Sequence, residues 1–513
     1  MSEPKDIFLI MFDTLSAKWM EAALGGACEL PGFKRLLKMG TRFPNTYTSN
    51  PVCSPARATI ATGLSTRGHG VLENGYYLDP ELPTFMRQLQ RAGYRTGLFG
   101  KLHAYPHYAG FRTDCHQYGF DVVHTTEDGR GGEWLDWILE EHPEYADEAL
   151  ATIWAPQIPE FREYGPNKEN LYERIEKARK KFPWSSQELT DPTHEAYILP
   201  FPKELSQTEW ITRHALEFID QENKSPIFAQ ISYVQPHGPY GVPEEYLDRV
   251  KKEWIPRELP PTWMEEVAPI CFGNRKVLTN NPERFRLHYF ADLIYMDEQV
   301  GMLLDKLEES GRLKDSYIIL TADHGDLLGD HGFFGKEERH YDACIRVPLV
   351  IAGPGIGKDM TLDCMIQLED ICPTILEMGQ TRMPLVPKLG RYLEVDAKEI
   401  PAVGGYSLLK AAESPEDWPR SAAYVESYNP VWSMDIRDWA RTIVTAGYRY
   451  TWYPQNGNEQ LFDLNVDKDE VKNLAYNEKY AKVKEQLKAQ LMELIVLQDY
   501  PKTVRSLYAL GVH

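Results

Sequence analysis

Five short apolar stretches constrain the fold of this chain more than any other feature. Each is a short run, rich in aliphatic, β-branched or aromatic residues, that ends in a polar or Gly-rich corner, and most are followed by an amphipathic helical pattern. Unbroken hydrophobicity is typical of strands that are buried on both faces. The pattern therefore predicts an α/β fold with a mostly parallel central sheet sandwiched by helices. The stretches are "DIFLIMFD" (6–13), "YRTGLFGK" (94–101), "PIFAQISYVQPH" (226–237), "SYIILTADHG" (316–325) and "VPLVIAGPG" (347–355).

Ionisable side chains follow four of these strands, just past the point where each strand ends. In open α/β sheets, ligands bind at the carboxyl ends of the strands. We therefore expect these side chains to converge on one site. They are Asp13, Lys101, His237, Asp323 and His324.

The rhythm of strands is interrupted between residues 124 and 200, where helices and loops rich in Trp, Tyr and Glu replace it. We expect this excursion to cover the site like a lid. A stretch with Pro and Gly at 380–405 indicates a domain boundary, and the segments beyond it alternate as exposed antiparallel strands do before a last amphipathic helix. The chain thus divides into a large domain, 1–380, and a smaller C-terminal α+β domain, 381–513, with an antiparallel sheet.

Charge and cysteine content exclude several classes of function. The chain has 56 basic and 76 acidic side chains, a net charge of −20, so we expect no nucleic-acid or membrane partner, and an anionic substrate needs a locally basic pocket. Its seven cysteines form no CxxC pair, which argues against a disulfide framework and a zinc cluster. The first apolar run, Ile7 to Phe12, is too short for a secretory or membrane-spanning segment, which predicts a cytoplasmic location.

The stretch "NPVCSPARATIATG" (50–63) places a cysteine where an anion would be favoured. Pro55 is suited to the first turn of a helix, so Cys53 lies just ahead of the helix N-terminus. Free backbone N–H groups and the helix dipole favour negative charge there, and Arg57, one turn on, can direct its guanidinium to the same place. This is an unusual position for a structural thiol.

The Cys-x-Pro-x-Arg pattern at Cys53 resembles the signature of the type I sulfatases, members of the alkaline phosphatase superfamily. Further stretches match in order along the chain: "GKLH", "QPHGPY", "TADHGDLLGDHG", the Gly-Lys at 335, "RVPL" and the C-terminal "LFDL…DEVKNLA". The choline sulfatase and phosphonate monoester hydrolase branches are the most similar. The resemblance implies an alkaline phosphatase-like fold and hydrolysis of a small-molecule or saccharide sulfate ester to an alcohol and inorganic sulfate.

In this family the signature cysteine is oxidised to formylglycine, whose hydrated form, a geminal diol, is the nucleophile. The resemblance thus implies that a formylglycine-generating enzyme matures Cys53. A serine that attacked a sulfate ester would remain a stable sulfate ester. A diol keeps a spare hydroxyl, and deprotonation of this hydroxyl expels sulfate and restores the aldehyde.

The resemblance also implies a metal site. Asp13, Asp323, His324 and one oxygen of the modified Cys53 would hold a divalent cation, which lowers the pKa of that oxygen and polarises the sulfate. Family habit makes Ca²⁺ the first choice, and Mn²⁺ or Mg²⁺ are alternatives because most of the ligands are oxygens. Many relatives have a second aspartate or a glutamine where this chain has Thr14, so its role as a ligand stays open.

The remaining roles are carried over by position. Arg57, Lys101 and Lys336 match residues that orient the diol and neutralise the sulfate oxygens. His237 would protonate the leaving alkoxide, and His103 would take the proton from the spare hydroxyl. Phosphonate hydrolases of the superfamily typically have uncharged polar residues where Lys101 and His103 stand, which favours sulfate esters.

Other matches and alternatives complete the interpretation. Asn74 in "VLENG" resembles an asparagine that contacts substrate, whereas His69 and His331 are assigned structural roles. Phosphonate monoester or phosphodiester hydrolysis by the same nucleophile is the alternative activity, and a binding protein without catalysis is disfavoured by the intact set of catalytic candidates. The apolar tail "YPKTVRSLYALGVH" predicts a homo-oligomeric contact, or else it folds back on its own domain.

Overall fold

The computed structural model describes residues 3–181, 195–222, 225–260, 282–336, 339–386, 400–401, 404–428, 439–454 and 457–498. The tail after residue 498, for which the sequence predicts an oligomer contact, lies outside the described residues. Residues 182–194 of the predicted excursion, Cys271 and much of the 380–405 boundary stretch also lie outside them.

Eighteen strands occur in the described part of the chain. Their bounds are Asp6–Phe12 (β1), Gly40–Arg42 (β2), Thr46–Tyr47 (β3), Arg95–Gly100 (β4), Val122–His124 (β5), Ala196–Ile198 (β6), Ile227–Tyr233 (β7), Tyr240–Val242 (β8), Ser316–Ala322 (β9), Leu349–Ala352 (β10), Met360–Thr361 (β11), Ile366–Gln367 (β12), Leu385–Val386 (β13), Ile400–Pro401 (β14), Ala422–Ser427 (β15), Ala440–Thr445 (β16), Tyr448–Tyr453 (β17) and Asn458–Asp463 (β18).

Eight strands form the central sheet, in the order β11-β2-β10-β9-β1-β7-β4-β5. The five strands from β9 to β5 are parallel to one another, which confirms the mostly parallel sheet. Strand β10 is antiparallel to β9 and β2. After β9 the chain stays at the carboxyl edge of the sheet as far as residue 344. The hydrogen bond from Gly325 N–H to Cys344 O, at 2.7 Å, shows that these two residues lie side by side. The next strand must therefore run back in the opposite direction.

Helices cover both the sheet and the region between β5 and β7. Helices α5 and α9 pack against β4, and α2 packs against β10. The long α11 contributes Phe290, Leu293 and Val300 to the main hydrophobic core. The helix bounds are Ala17–Ala22 (α1), Pro31–Met39 (α2), Cys53–Thr62 (α3), Thr66–His69 (α4), Phe85–Arg91 (α5), Glu133–Glu141 (α6), Ala146–Ala151 (α7), Leu171–Lys181 (α8), Gln207–Asp220 (α9), Glu244–Leu247 (α10), Pro282–Glu309 (α11), Asp342–Ile345 (α12), Ile371–Met378 (α13), Leu408–Glu413 (α14) and Ala481–Gln498 (α15).

The C-terminal part of the chain builds a second, smaller sheet. Strands β15 to β18 form an antiparallel meander, which confirms the antiparallel sheet expected from the sequence. Helix α15 packs on it, and Ile443, Tyr450, Leu461 and Leu491 are the centre of a separate apolar cluster. Within the described residues, no helix is both long and apolar enough to cross a membrane.

Candidate active site

Four neighbouring strands, β9, β1, β7 and β4, end beside one another at the carboxyl edge of the central sheet. Backbone bonds continue past the strand ends, since Asp13 N–H donates to Tyr233 O at 3.2 Å and Lys101 N–H donates to Ser232 O at 2.8 Å. The residues that follow each strand are thereby held in register. The sheet brings together Asp13, Lys101, His237, Asp323 and His324 at this edge.

Helix α3 carries residue 53 to the same edge. The helix begins at Cys53 itself, so Pro55 lies within its first turn. Asn74 accepts a hydrogen bond from Ser54 N–H through Oδ1, at 3.0 Å. The side chain that was predicted to contact substrate thus caps the helix that presents Cys53.

The Cys53 thiol is 1% exposed and lies in a polar cluster. Its Sγ is 2.7 Å from Lys336 Nζ, 3.2 Å from His324 Nε2 and 3.8 Å from Asp13 Oδ1. Burial, together with the Asp13 carboxylate, raises the pKa of the thiol to about 12. The unmodified cysteine is therefore protonated at neutral pH, which does not suit a thiolate nucleophile.

The donor atoms around Cys53 fit a divalent cation. One ligand atom from each of Asp13, Cys53, Asp323 and His324 lies within 4.8 Å of the others, and all four side chains are buried. His324 Nδ1 pairs with Gly325 O at 3.0 Å, which leaves Nε2 with its lone pair directed to the cluster. Burial lowers the pKa of His324 to about 4, so the imidazole is neutral and able to coordinate. Two carboxylates beside a neutral imidazole suit Ca²⁺, Mg²⁺ or Mn²⁺.

Two cations hold the carboxylates of this cluster. Arg57 donates from Nε to Asp323 Oδ2 at 2.7 Å and from Nη1 to Lys101 O and Ser232 Oγ, at 2.9 and 2.8 Å. Lys101 Nζ is 2.5 Å from Asp13 Oδ2. Burial alone would raise the pKa of Asp13, but the charges of Lys101, His237 and other neighbours hold it well below its usual range. Asp13 is therefore ionised.

Thr14 contacts two of the candidate metal ligands, Asp13 and Asp323. Its hydroxyl donates to Asp13 Oδ1 at 2.7 Å, and its backbone N–H donates to Asp323 Oδ1 at 3.1 Å. A positive φ of 67° at this β-branched residue is a strained conformation that the surrounding contacts must hold. Thr14 thus orients two carboxylates of the cluster.

The two histidines with predicted roles in proton transfer lie near an acidic loop that follows β5. His237 Nε2 is 3.9 Å from Asp128 Oδ2, and its Nδ1 is 2.5 Å from Gly238 O. His103 donates its backbone N–H to Glu127 Oε1 at 2.9 Å. Glu127 and Asp128, the two acidic residues of this loop, are buried and were not predicted as site residues from the sequence.

The strand-end rule could have found these acidic residues. Glu127 and Asp128 follow β5 just as the predicted residues follow their strands. Strand β5 has only three residues, all half-buried, so its sequence carries no apolar run. The two histidines that were assigned structural roles are also buried. His69 Nδ1 accepts from Val71 N–H at 3.1 Å, and the His331 ring stacks on Tyr341 at 3.9 Å.

Two family models match the chain. The Sulfatase model matches residues 5–381, and the model "N-sulphoglucosamine sulphohydrolase, C-terminal" matches residues 329–497. The first match covers every candidate site residue. The second includes the whole C-terminal antiparallel sheet.

Among curated proteins, the chain is similar to an arylsulfatase of Clostridium perfringens, with 27% identity over 501 residues that cover 93% of this chain and 91% of that protein. It is 28% identical over 485 residues to a choline-sulfatase of Rhizobium meliloti, covering 92% and 82%. Among solved structures, the phosphonate monoester hydrolase of Agrobacterium radiobacter superposes with a TM-score of 0.74 at 22% identity, covering 97% and 96% of the two chains.

Proposed function

Since the chain belongs to the sulfatase family, we propose that its nucleophile is residue 53, matured from cysteine to formylglycine. The protein is a sulfuric ester hydrolase, which converts a sulfate ester to an alcohol and inorganic sulfate. One observation carries the proposal: the Cys53 side chain is buried among Lys336, His324 and Asp13, in a setting that keeps the plain thiol protonated.

We expect Asp13, Asp323, His324 and residue 53 to hold the divalent metal of the family, with Ca²⁺ as the first choice and Mn²⁺ or Mg²⁺ as alternatives. When bound, the cation would supply positive charge that lowers the pKa of an oxygen at residue 53 and polarises the sulfate. Lys101 and Arg57 hold the buried carboxylates of Asp13 and Asp323 in place, and these two carboxylates would supply the negative charge that attracts the cation.

The other side chains of the site have separate tasks. Lys336, 2.7 Å from Sγ of residue 53, and Lys101 would neutralise sulfate oxygens as charge shifts towards them. Arg57 would hold Asp323 and the ends of β4 and β7 in place. His237 would give a proton to the leaving alkoxide oxygen, and His103 would accept one from a hydroxyl at residue 53.

The first test is the mass of the peptide that contains residue 53. In protein from a host with the maturing enzyme, we expect the loss of one sulfur and two hydrogens and the gain of one oxygen. The Cys53→Ala variant is the matched control, because its peptide cannot be oxidised in this way. A peptide with only the thiol, from such a host, would contradict the proposed nucleophile.

Phosphonate monoester hydrolysis is the second candidate, and the structural similarity to a phosphonate monoester hydrolase favours it. Lys101 and His103 favour sulfate esters, because phosphonate hydrolases of the superfamily typically have uncharged polar residues at these two positions. The test compares kcat/KM for one aryl group carried as its sulfate and as its phenylphosphonate monoester. We expect a higher value for the sulfate, and a clear preference for the phosphonate would promote the alternative.

The identity of the alcohol is a separate question. Sugar, choline and aryl sulfates need the same inner groups, and we propose that the region 104–200 determines which alcohol is accepted. A panel of these sulfates, assayed for released inorganic sulfate, distinguishes them. The domain division at residue 380, maturation by a formylglycine-generating enzyme and a cytoplasmic location stay predictions.

A further inference from the structure

Two buried histidines stack face to face beside the candidate site. The rings of His103 and His107 have their centroids 4.3 Å apart and are inclined by only 3°. His103 is 1% exposed, and neither of its ring nitrogens has a hydrogen-bond partner among the described residues. A buried imidazole without a partner is costly, so its nitrogens are available for a group that enters the site.

His107 is bound to the acidic loop after β5. Its Nε2 is 2.9 Å from Asp128 Oδ1 and 3.8 Å from Glu127 Oε2. The other oxygen of Glu127 accepts the backbone N–H groups of Leu102 and His103, at 3.1 and 2.9 Å. Glu127 thus fixes the backbone that carries one ring, and Asp128 fixes the other ring.

Asp128 contacts more than this pair. Its carboxylate is also 3.3 Å from Lys101 Nζ and 3.9 Å from His237 Nε2. Three groups at the edge of the site, two from the segment after β4 and one from the segment after β7, therefore share one buried carboxylate. Such an arrangement sets the charge as well as the position of its members.

The two stacked rings differ in charge. Burial lowers the pKa of His107, but Asp128 and Glu127 outweigh it and raise the pKa to about 9. Burial, and then the positive charges of Lys101 and His107, lower the pKa of His103 well below its usual range, while Asp128 opposes this and Arg57 adds to it. At neutral pH, His107 is a cation and His103 is neutral.

We propose that His107, held as a cation by Asp128, is a positioning residue that keeps His103 in its neutral, proton-accepting form. The inference rests on the proposed function, in which His103 accepts a proton from a hydroxyl at residue 53. That proton moves onto the free ring nitrogen of His103, and it leaves to water once sulfate has departed. His107 exchanges no proton in the cycle, and the repulsion between two charged rings 4.3 Å apart favours the return of His103 to the neutral state.

The same side chains could be considered as metal ligands. His103, His107, Glu127 and Asp128 bring one ligand atom each within 4.8 Å of one another. Nitrogen lone pairs lie in the plane of an imidazole ring, so two parallel rings cannot both direct a lone pair at one ion between them. The stacking therefore favours a role in proton transfer.

The direct test is NMR of the full-length mature enzyme with ¹³C-labelled histidine. Signals are assigned by their loss in His107→Phe and His103→Gln. We expect the wild-type His107 signal to be that of an imidazolium at pH 7.5 and the His103 signal to be neutral at the same pH. In His107→Phe, which keeps a flat ring without charge, the titration midpoint of His103 should rise. Asp128→Asn should make His107 neutral at pH 7.5.

The chain supplies a matched control. His124 and His214 form another stacked pair, 4.1 Å apart and inclined by 10°, outside this cluster. His214→Phe removes a stacked imidazole in the same way and should leave the signals of His103 and His107 unchanged. In turnover, the acidic limb of kcat should move to higher pH in His107→Phe, with little change of KM, and should stay in place in His214→Phe.

The outcomes separate this inference from the proposed function. A neutral His107 at pH 7.5 in the wild type, or an unchanged His103 titration in His107→Phe, would overturn the inference. If His107→Phe does not fold, the charge of His107 in the wild type and its loss in Asp128→Asn decide the inference. The NMR titrations do not depend on turnover, so an enzyme that releases no sulfate yet shows the expected titrations would contradict the proposed function alone.

Discussion

The side chain at position 53 is buried, and its charge state limits the chemistry of an unmodified cysteine. With its pKa near 12, the thiol is a poor nucleophile at neutral pH. Lys336, whose Nζ is 2.7 Å from the sulfur, lowers the pKa of the thiol, but burial and the Asp13 carboxylate raise it by more. Replacing the sulfur atom of Cys53 should therefore change turnover far more than it changes the stability of the fold.

Two substitutions at Cys53 distinguish the diol mechanism from simple nucleophilic attack. Cys53→Ala should abolish turnover and leave the melting temperature close to that of the wild type. Cys53→Ser should at best form one sulfated serine per molecule, because no spare hydroxyl is left to expel the sulfate. Intact mass after incubation with an aryl sulfate detects this adduct. Sustained turnover by the serine variant would rule out the diol mechanism.

Asn74 has a role in stability that can be separated from any contact with substrate. Its Oδ1 accepts from Ser54 N–H at 3.0 Å, in the first turn of α3. Asn74→Ala removes this acceptor and should cost about 1 kcal/mol of stability, as the loss of a helix cap usually does. Asn74→Asp keeps the acceptor and should melt close to the wild type. Equal losses of melting temperature in both variants would contradict the capping role.

At the scale of elements, the sequence predicts the strands that are long and buried and misses the short one that matters. Strand β7 is buried at all seven residues and β1 at all but the first, so β1 gives an unbroken apolar run and β7 gives one interrupted only by Gln230 and Ser232. Strand β5 has three half-buried residues at the edge of the sheet and gives no such run. The pairing of His107 with Asp128 could not be predicted, because it depends on where this edge strand places its following loop.

The end of β4 allows a test of how the sheet positions a site residue. Gly100 has a φ of 97°, and a Cβ atom there would lie 2.0 Å from Ser232 O, the same oxygen that accepts from Lys101 N–H. Gly100→Ala should therefore displace Lys101 and reduce turnover strongly. It should also reduce the free energy of unfolding by more than the roughly 1–3 kcal/mol expected from backbone strain alone, and so lower the melting temperature.

Gly93→Ala is the matched control for this strain, since Gly93 has a φ of 93° and nothing within 4 Å of an added Cβ. It should cost only the backbone strain and keep its turnover. Thermal melting and sulfate release measured on both variants give the comparison. Equal effects on turnover would show that the contact with Ser232 does not position Lys101.

At the scale of the whole molecule, the smaller sheet is joined to the larger unit by buried hydrogen bonds. Gln367 and Tyr424 exchange two bonds, from Nε2 to the carbonyl at 2.8 Å and from the backbone N–H to Oε1 at 3.1 Å. His340, fully buried, pairs with Thr442 Oγ1 at 2.8 Å and Ser427 Oγ at 3.1 Å. Because these contacts are polar and buried, the junction should respond to a change in charge.

His340 makes the stability of this junction depend on pH. Burial, and then the charges of Arg449 and Arg441, lower the pKa of His340 well below its usual range. Below about pH 6.5 the unfolded chain binds a proton at this residue and the folded chain does not, so stability falls as the pH falls, by at most about 1.4 kcal/mol per pH unit for one proton. Above that pH the contribution is constant.

The variant His340→Gln keeps a polar side chain that cannot be protonated. We expect it to melt below the wild type at pH 8, because it fills the site less well, and to approach the wild type as the pH is lowered to 5. His116→Gln, at an exposed position, is the control for the exchange of histidine by glutamine. Hydrogen exchange in β15 and β16 should rise in the wild type over the same interval and rise less in His340→Gln. Parallel melting curves for His340→Gln and the wild type would contradict the linkage, because His340 would then titrate alike in the folded and unfolded chains.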